Sequence, residues 1–174
     1  YDKTLCPFRI ISMEKKYSIP VPIRTPSGTF SLFIGGIIDR VDQIGNTVRV
    51  IDYKTGADNT NCKNIGSLFD SSNPLRNKAA FQTMLYCLMF EHSHPETSVL
   101  IPGIYSIKLL FGNDYDCKLK CNNTSITDFN AYKEEFSLHL SDLLSRLFSP
   151  EQPFTQAPSE KKCRTCQYSG ICRK

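Results

Sequence analysis

The sequence lacks a long hydrophobic run. Its longest apolar stretch, SLFIGGII, is far shorter than the about 20 residues that a membrane-spanning helix needs. The start of the chain also lacks the charged and apolar segments of a secretory signal. No internal repeat and no low-complexity tract is present. We therefore expect no contact with a membrane and a cytoplasmic location.

The chain also lacks an extreme composition. Hydrophobic residues make up 40% and charged residues 22% of its 174 residues, which is typical of one globular domain with a sizeable core. A net charge of +4 is compatible with a polyanionic partner but does not identify one. The chain begins with Tyr1 rather than Met, so we expect it to be a fragment of a longer protein.

The eight cysteines are too sparse for a secreted disulfide scaffold, which is usually shorter and richer in Cys. Three of them, Cys163, Cys166 and Cys172, crowd into the last twelve residues. This clustering favours a ligand site near the C-terminus and a reducing compartment.

Hydrophobic periodicity predicts strands with a period of two and helices with a period of about 3.6. Together they indicate a mixed α/β or α+β domain in which two long helices cover the sheet. The predicted order is an extended segment at 9–23, strands at 29–42 and 47–55, a polar loop from about 57 to 73, a helix at 75–92, a strand at 101–111 and a helix at 127–148.

The segment VRVIDYKTG, residues 48–56, is a predicted strand that ends on charged side chains. Asp52 and Lys54 are two residues apart, so they share one face of the strand. A carboxylate and an ammonium in this arrangement form either a surface ion pair or part of a catalytic site.

The preceding strand contains GGIIDRVD, and the turn QIGN folds the two strands together. Counting from this turn places Asp39 and Asp52 in the same region of the hairpin. Two carboxylates beside Lys54 suit a hard divalent cation such as Mg²⁺, which binds oxygen ligands. The alternative is a cross-strand ion pair that contributes roughly 0.2–1 kcal/mol.

Three motifs resemble the PD-(D/E)XK nuclease superfamily, and within it the RecB-like group that includes AddB-type nuclease domains. They are GGIIDRVD, the following IDYKTG, and the downstream FQTMLYC. The specific resemblance covers residues from roughly 10 to 90 and the cysteine-rich end. It implies a restriction-endonuclease-like core with a mixed sheet flanked by helices. We expect this core over 1–155 and a cysteine-rich tail of the same domain over 156–174.

The resemblance also implies roles at the metal site. Asp39 and Asp52 correspond to the two metal-binding aspartates, and Lys54 corresponds to the catalytic lysine. The carbonyl of Tyr53 is expected to face the metal. Glu14 is a candidate for an upstream acidic ligand, although a solvated side chain in a lysine-rich stretch is an open alternative. None of the three histidines fits the catalytic histidine of some members, because all lie downstream.

Further residues match the motifs at positions that contact DNA. Gln82 and Tyr86 are four apart, on one face of the predicted helix, and the resemblance implies contacts with the active site and the DNA backbone. Arg40 corresponds to a frequent basic residue of the motif. Its alternative is a salt bridge with Asp42, which we interpret as structural.

The spacing C-x2-C-x5-C of Cys163, Cys166 and Cys172 predicts metal ligation. A zinc site is one interpretation of this spacing. The resemblance to the RecB-like group implies a 4Fe-4S cluster whose fourth ligand lies upstream of the core. Cys6 is the available upstream cysteine, and the alternative is a cysteine in the part of the protein that precedes this chain.

The function that the resemblance implies is exonuclease-type hydrolysis of DNA phosphodiester bonds with Mg²⁺ or Mn²⁺. Attack by water would leave a 5′-phosphate and a 3′-hydroxyl. A helicase domain or subunit is the expected partner, in DNA repair or recombination. Two alternatives stay open: a catalytically silent DNA-binding or assembly module, and a metal-dependent phosphoesterase that acts on RNA.

Overall fold

A computed structural model describes most of the chain. The described residues are 2–26, 28–56, 59–73, 75–112, 115–153, 163–164 and 166–172. Within these ranges, no helix is both long and apolar enough to cross a membrane. The predicted boundary at 155/156 between core and tail lies outside the described residues.

The structure consists of strands and two long helices, in the order that periodicity predicts, and has the α/β fold expected of a restriction-endonuclease-like core. Short 3₁₀ turns occur at Asp2–Leu5 and Gly66–Leu68. The regular elements are β1 (Arg9–Thr25), β2 (Gly28–Ile44), β3 (Thr47–Lys54), β4 (Asn61–Cys62), α1 (Lys78–Ser93), β5 (Val99–Ser106), β6 (Lys120–Cys121), β7 (Thr124–Ser125) and α2 (Asn130–Leu147).

The main sheet has the strand order β1-β2-β3-β5. Strands β1, β2 and β3 form an antiparallel meander, whereas β3 and β5 are parallel and are joined through α1. Strands β4, β6 and β7 form a second, small sheet. Strand β4 lies in the segment that we predicted as a polar loop, and β6 and β7 lie where we predicted no element. The predicted strand at 101–111 ends early, at Ser106, because its neighbour β3 ends at Lys54 and offers no further partner.

The two helices pack on the same face of the main sheet. Alternate residues of β1 from Tyr17 to Ile23 are buried there, and the residues between them are exposed. This period of two is what a half-buried strand requires. Helix α1 begins after Asn77, whose side chain accepts a hydrogen bond of 2.9 Å from the N–H of Ala80.

The alternation of faces changes once along β2. Ile38 and Val41 both enter the helix-covered core, although three positions of a regular strand would separate them onto opposite faces. On β1, Glu14 lies between the register pairs Met13↔Arg40 and Lys15↔Ile38, level with Asp39 on β2, and has a φ of 45°. This local irregularity allows Asp39 to share the helix-covered face with Val41.

Candidate active site

Asp39 and Asp52 lie opposite each other on neighbouring strands. The last regular pair of β2 and β3 is Arg40↔Ile51, and one further step of the antiparallel register pairs the two aspartates. The Oδ2 of Asp39 accepts a hydrogen bond of 2.8 Å from the backbone N–H of Tyr53. The predicted convergence of these two positions at one end of the hairpin is therefore present in the structure.

Asp52 and Lys54 form an ion pair on the helix-covered face. The distance from Lys54 Nζ to Asp52 Oδ2 is 2.6 Å. Asp52 is only 1% exposed, whereas the side chain of Lys54 is 25% exposed. Val50 belongs to the core under the helices, and Asp52 follows it by two positions on the same face. The pair thus lies at the border between the core and solvent.

Helix α1 extends this group through two hydrogen bonds. Lys54 Nζ donates to Gln82 Oε1 at 3.0 Å, and Gln82 Nε2 donates to the hydroxyl of Tyr86 at 2.7 Å. A Cβ at Gly36 would lie 3.0 Å from Cε1 of the Tyr86 ring. The glycine therefore provides the close approach that lets Tyr86 pack against β2. Gln82 and Tyr86 share one helical face, as their spacing predicts, and Tyr86 reaches Lys54 through Gln82.

A family model described as the PD-(D/E)XK nuclease superfamily matches residues 1–173. The chain belongs to the PD-(D/E)XK nuclease superfamily. Membership indicates a nuclease, and PD-(D/E)XK nucleases generally use divalent metal ions.

One solved structure, named "Crystal structure of SSO0001", has limited similarity to this chain. The two share 16% sequence identity over 92% of this chain's length, with a TM-score of 0.38. The chain spans 59% of the length of that protein's chain. A TM-score of this size does not establish a shared fold. The comparison with curated proteins found no match.

The donor groups of this PD-(D/E)XK chain fit a divalent cation. Asp52 pairs with the Lys54 ammonium, and Asp39 lies beside them with its Oδ2 held by the N–H of Tyr53, so two carboxylates and one ammonium leave one net negative charge. Mg²⁺ typically takes only one or two protein carboxylates and completes its coordination with water and phosphate oxygens. Groups of three or more His, Cys, Asp or Glu side chains suited to a metal are absent from the described residues. The fit therefore rests on a pair of carboxylates.

Glu14 does not join these carboxylates in a metal-binding group. It lies level with Asp39 between two register pairs, but its side chain is exposed and its backbone has a positive φ. The structure thus brings Glu14 to the right part of the hairpin without placing its carboxylate in the group. Its role as an upstream ligand stays a prediction.

Arg40 lies on the opposite face of the hairpin, away from Asp39 and Asp52. It is 5% exposed, and its Nη2 lies 2.5 Å from Asp42 Oδ2. The alternative interpretation, a structural ion pair with Asp42, describes this geometry. The predicted DNA contact does not agree with this geometry, because the guanidinium is buried and turned away from Lys54.

Asp42 connects Arg40 to a second arginine. Arg49 is the register partner of Asp42 and donates to it through Nε at 2.7 Å and Nη2 at 2.8 Å. Asp2 closes the network by accepting from Arg40 at 2.9 Å and from the Tyr105 hydroxyl at 2.5 Å. Sequence reasoning missed the last three partners. Cross-strand pairing could have found Arg49, since it follows from the hairpin register.

The network shifts the acidity of its members. Burial alone would lower the pKa of Arg40, but hydrogen bonds with Tyr53 and Asp2 and the charge of Asp42 raise it well above its ordinary value. Burial would raise the pKa of Asp2, yet the hydrogen bonds from Tyr105 and Arg40 hold it below its ordinary value. Both groups are thus stabilised in their charged forms.

The cysteine-rich end has no comparable arrangement among its described residues. Cys166 and Cys172 are exposed and Cys163 is half-buried. The N–H of Tyr168 donates to Cys166 Sγ at 3.4 Å. Cys6 is exposed as well, and its Sγ lies 3.5 Å from the carbonyl oxygen of Asp2. No metal-binding group forms in the described part of this segment, and the 4Fe-4S cluster stays a prediction.

Proposed function

We propose that this chain is the nuclease domain of a RecB-like, AddB-type protein that hydrolyses DNA with Mg²⁺ or Mn²⁺. The observation that carries the proposal is the ion pair between buried Asp52 and Lys54, next to Asp39, whose Oδ2 accepts a hydrogen bond from the intervening Tyr53 N–H. A purely structural ion pair has no need for a third charged group across the strand. This trio matches the PD-(D/E)XK motif position by position.

Asp39 and Asp52 would hold the cation through carboxylate oxygens, with the carbonyl of Tyr53 as a further oxygen donor. The bound ion would supply Lewis-acid stabilisation of negative charge on the scissile phosphate. The N–H of Tyr53 holds the Asp39 carboxylate in orientation at 2.8 Å. The protein thus fixes one ligand through the backbone of the neighbouring strand.

Lys54 would orient the attacking water and support the charge that develops on the phosphate. Its Nζ is held between Asp52 and Gln82, at 2.6 and 3.0 Å. Gln82 is in turn held by the Tyr86 hydroxyl. These contacts restrict the rotamers of a long side chain, and such pre-organisation lowers the entropy that a catalytic geometry requires.

Exonuclease-type cleavage, coupling to a helicase domain or subunit, and a role in DNA repair or recombination belong to the same proposal. They rest on the similarity of the motifs to the RecB-like group. We also propose that Cys163, Cys166 and Cys172 bind a 4Fe-4S cluster in the longer protein, with Cys6 or an upstream cysteine as the fourth ligand. Their spacing supports this, and a reducing, cytoplasmic setting, in which thiols stay free, belongs to the same proposal.

The test of the proposed activity is a cleavage assay on single- and double-stranded DNA and on RNA. Wild-type protein and Lys54→Ala are compared with Mg²⁺, with Mn²⁺ and with a chelator. We expect the wild type to cut DNA only when metal is present. DNA binding without cleavage under every metal condition would favour the silent-module alternative, and preferential cutting of RNA would favour the phosphoesterase alternative.

The cluster has a separate test. Anaerobically purified full-length protein should contain iron and absorb broadly near ~400 nm, as thiolate-ligated iron–sulfur clusters do. A colourless protein with stoichiometric zinc and no iron would contradict the cluster. Retention of four-coordinate iron by a Cys6→Ser variant would exclude Cys6 as the fourth ligand.

A further inference from the structure

Two side chains of β2 replace the backbone ladder where it ends. The regular β2–β3 pairing stops at Arg40↔Ile51, just before the segment that carries Asp52 and Lys54. Beyond this pair, Asp39 accepts a hydrogen bond of 2.8 Å from the N–H of Tyr53, and Arg40 Nη1 donates to the Tyr53 hydroxyl at 3.2 Å. Asp39 and Arg40, two consecutive residues of β2, therefore hydrogen-bond to Tyr53 of β3 from opposite faces of the sheet.

Arg40, which binds the Tyr53 hydroxyl, is itself held by several contacts. Arg40 is held by Asp2 at 2.9 Å and by Asp42 at 2.5 Å, and its guanidinium lies 4.8 Å from the centre of the Phe8 ring. The Tyr53 ring also packs edge-on against Tyr105, with ring centres 5.5 Å apart. Such a dense set of contacts leaves Arg40 little freedom to follow a moving partner.

Tyr53 occupies a distinctive position in the chain. It lies between Asp52 and Lys54, whose side chains point to the helix-covered face, while its own side chain points to the other face. Any rotation of the Tyr53 peptide would move both neighbours and release the Asp39 carboxylate. Beside the pairing of β3 with β5, the Tyr53 hydroxyl bonded to Arg40 and the Tyr53 ring packed on Tyr105 resist such a rotation from the far side of the sheet.

We propose that Tyr53 is a positioning residue of the active site: its hydroxyl, anchored to Arg40, fixes the peptide whose N–H orients Asp39. The inference rests on the proposed function for its catalytic consequence, but not for its structural one. Partners that hold metal-ligand side chains typically change metal affinity or activity by about 10–100-fold when they are removed. We therefore expect Tyr53→Phe to have an effect in this range.

The first test does not depend on activity. Amide hydrogen exchange at residue 53 is measured by NMR in the wild type, Tyr53→Phe and Asp39→Ala. We expect this amide to exchange at least about tenfold faster in both variants than in the wild type. Tyr53→Phe loses the hydrogen bond to Arg40, and Asp39→Ala loses the acceptor of the amide itself. Tyr132→Phe on α2 serves as the matched control and should leave the exchange rate unchanged.

A second variant guards against a change in overall folding. Arg40→Lys keeps the charge beside Asp42 but shortens the reach to Tyr53. It should accelerate exchange at residue 53 when Tyr53 is present and add little in a Tyr53→Phe background. Unchanged exchange in Tyr53→Phe, together with a loss of protection in Asp39→Ala, would overturn the proposal.

The kinetic test separates positioning from stability. Tyr53→Phe should lower kcat by about 10-fold or more and raise the Mn²⁺ concentration for half-maximal cleavage, with KM for DNA unchanged. A merely structural role would lower the melting temperature without moving either parameter at temperatures well below it. If the wild type cleaves no DNA, the proposed function fails, whereas the exchange experiment still decides the role of Tyr53.

Discussion

The two faces of the β2–β3 hairpin each bury an aspartate, and the two sites differ in their balance of charge. Asp42 is 0% exposed and lies between Arg40 and Arg49. Asp52 is 1% exposed and has Lys54 as its partner, with a second carboxylate, Asp39, across the strand. One face is a closed network, and the other has surplus negative charge near solvent.

This difference is consistent with a hairpin that stabilises the fold on one face and, in our proposal, holds a reactive site on the other. On the Asp42 face, two carboxylates and two guanidinium groups neutralise each other, since Asp2 completes the set. No additional ion is needed to balance the charge on this face. On the Asp52 face, a divalent cation would offset the surplus charge, and the amide of Gln82 keeps Lys54 within reach of its partner. We infer that charge balance separates the structural face from the functional one.

The largest effect is expected from Asp42→Asn. This change leaves two buried guanidinium groups without their shared carboxylate, and breaking a buried ion pair in this way costs about 3–5 kcal/mol of stability. Urea unfolding measures the loss. The control is Asp142→Asn, which removes an exposed helical ion pair with Arg146 and should change stability by less than about 0.5 kcal/mol. Equal effects of the two substitutions would mean that the Asp42 network is not a structural centre.

Asp52→Asn should lower DNA cleavage by about 10³-fold or more. The lost interaction is charge stabilisation of several kcal/mol in the transition state, and each 1.4 kcal/mol corresponds to about tenfold in rate. The measurement is the single-turnover cleavage rate with Mg²⁺. Substantial remaining activity, say about a third of wild type, would show that Asp52 is only the ion-pair partner of Lys54.

Lys54→Ala is expected to reduce cleavage by about 10²–10³-fold, the range observed when one pre-organised donor is removed from a transition-state site. Fold and DNA affinity should stay close to wild type. Lys133→Ala is the matched control, because Lys133 forms an ion pair of the same length, 2.6 Å, with Glu91 between the helices. Near-wild-type turnover in Lys54→Ala would reduce the motif to an ordinary ion pair.

The smallest effect concerns pH. The pKa of Asp2 lies below its ordinary value of 3.8, so Asp2 stabilises the folded state above that pH and loses this contribution as the pH falls further. The stability difference between wild type and Asp2→Asn should therefore shrink from about pH 6 to about pH 2. A difference that stays constant over this range would indicate that the Asp2 carboxylate does not interact with Arg40 and Tyr105.

Much of the candidate site could be predicted because it is local. The strand period places Asp52 and Lys54 on one face, and the helical period places Gln82 beside Tyr86. A tight turn fixes the register that brings Asp39 opposite Asp52. All these relations connect residues within one hairpin or one helix, and the structure reproduces them.

The parts that the sequence did not reveal depend on long-range contacts or unusual backbone geometry. Asp2 and Tyr105 reach the Arg40 network from distant segments of the chain, and hydrophobic periodicity does not predict such long-range contacts. The change of faces near Glu14 involves a positive φ at a residue that rarely adopts one. The DNA contact predicted for Arg40 was based on its position in the motif, which does not reveal that its side chain is buried.

Calorimetric titration with Mn²⁺ tests most directly whether the two faces differ in function. The proteins compared are the wild type, Asp52→Asn and Asp42→Asn, each shown to be folded by circular dichroism at the temperature of the titration. Both substitutions remove one charge from an equally buried carboxylate. We predict that Asp52→Asn weakens Mn²⁺ binding at least tenfold more than Asp42→Asn does. Equal affinity in the wild type and Asp52→Asn, or a greater loss in Asp42→Asn, would contradict the assignment of the metal site to the helix-covered face.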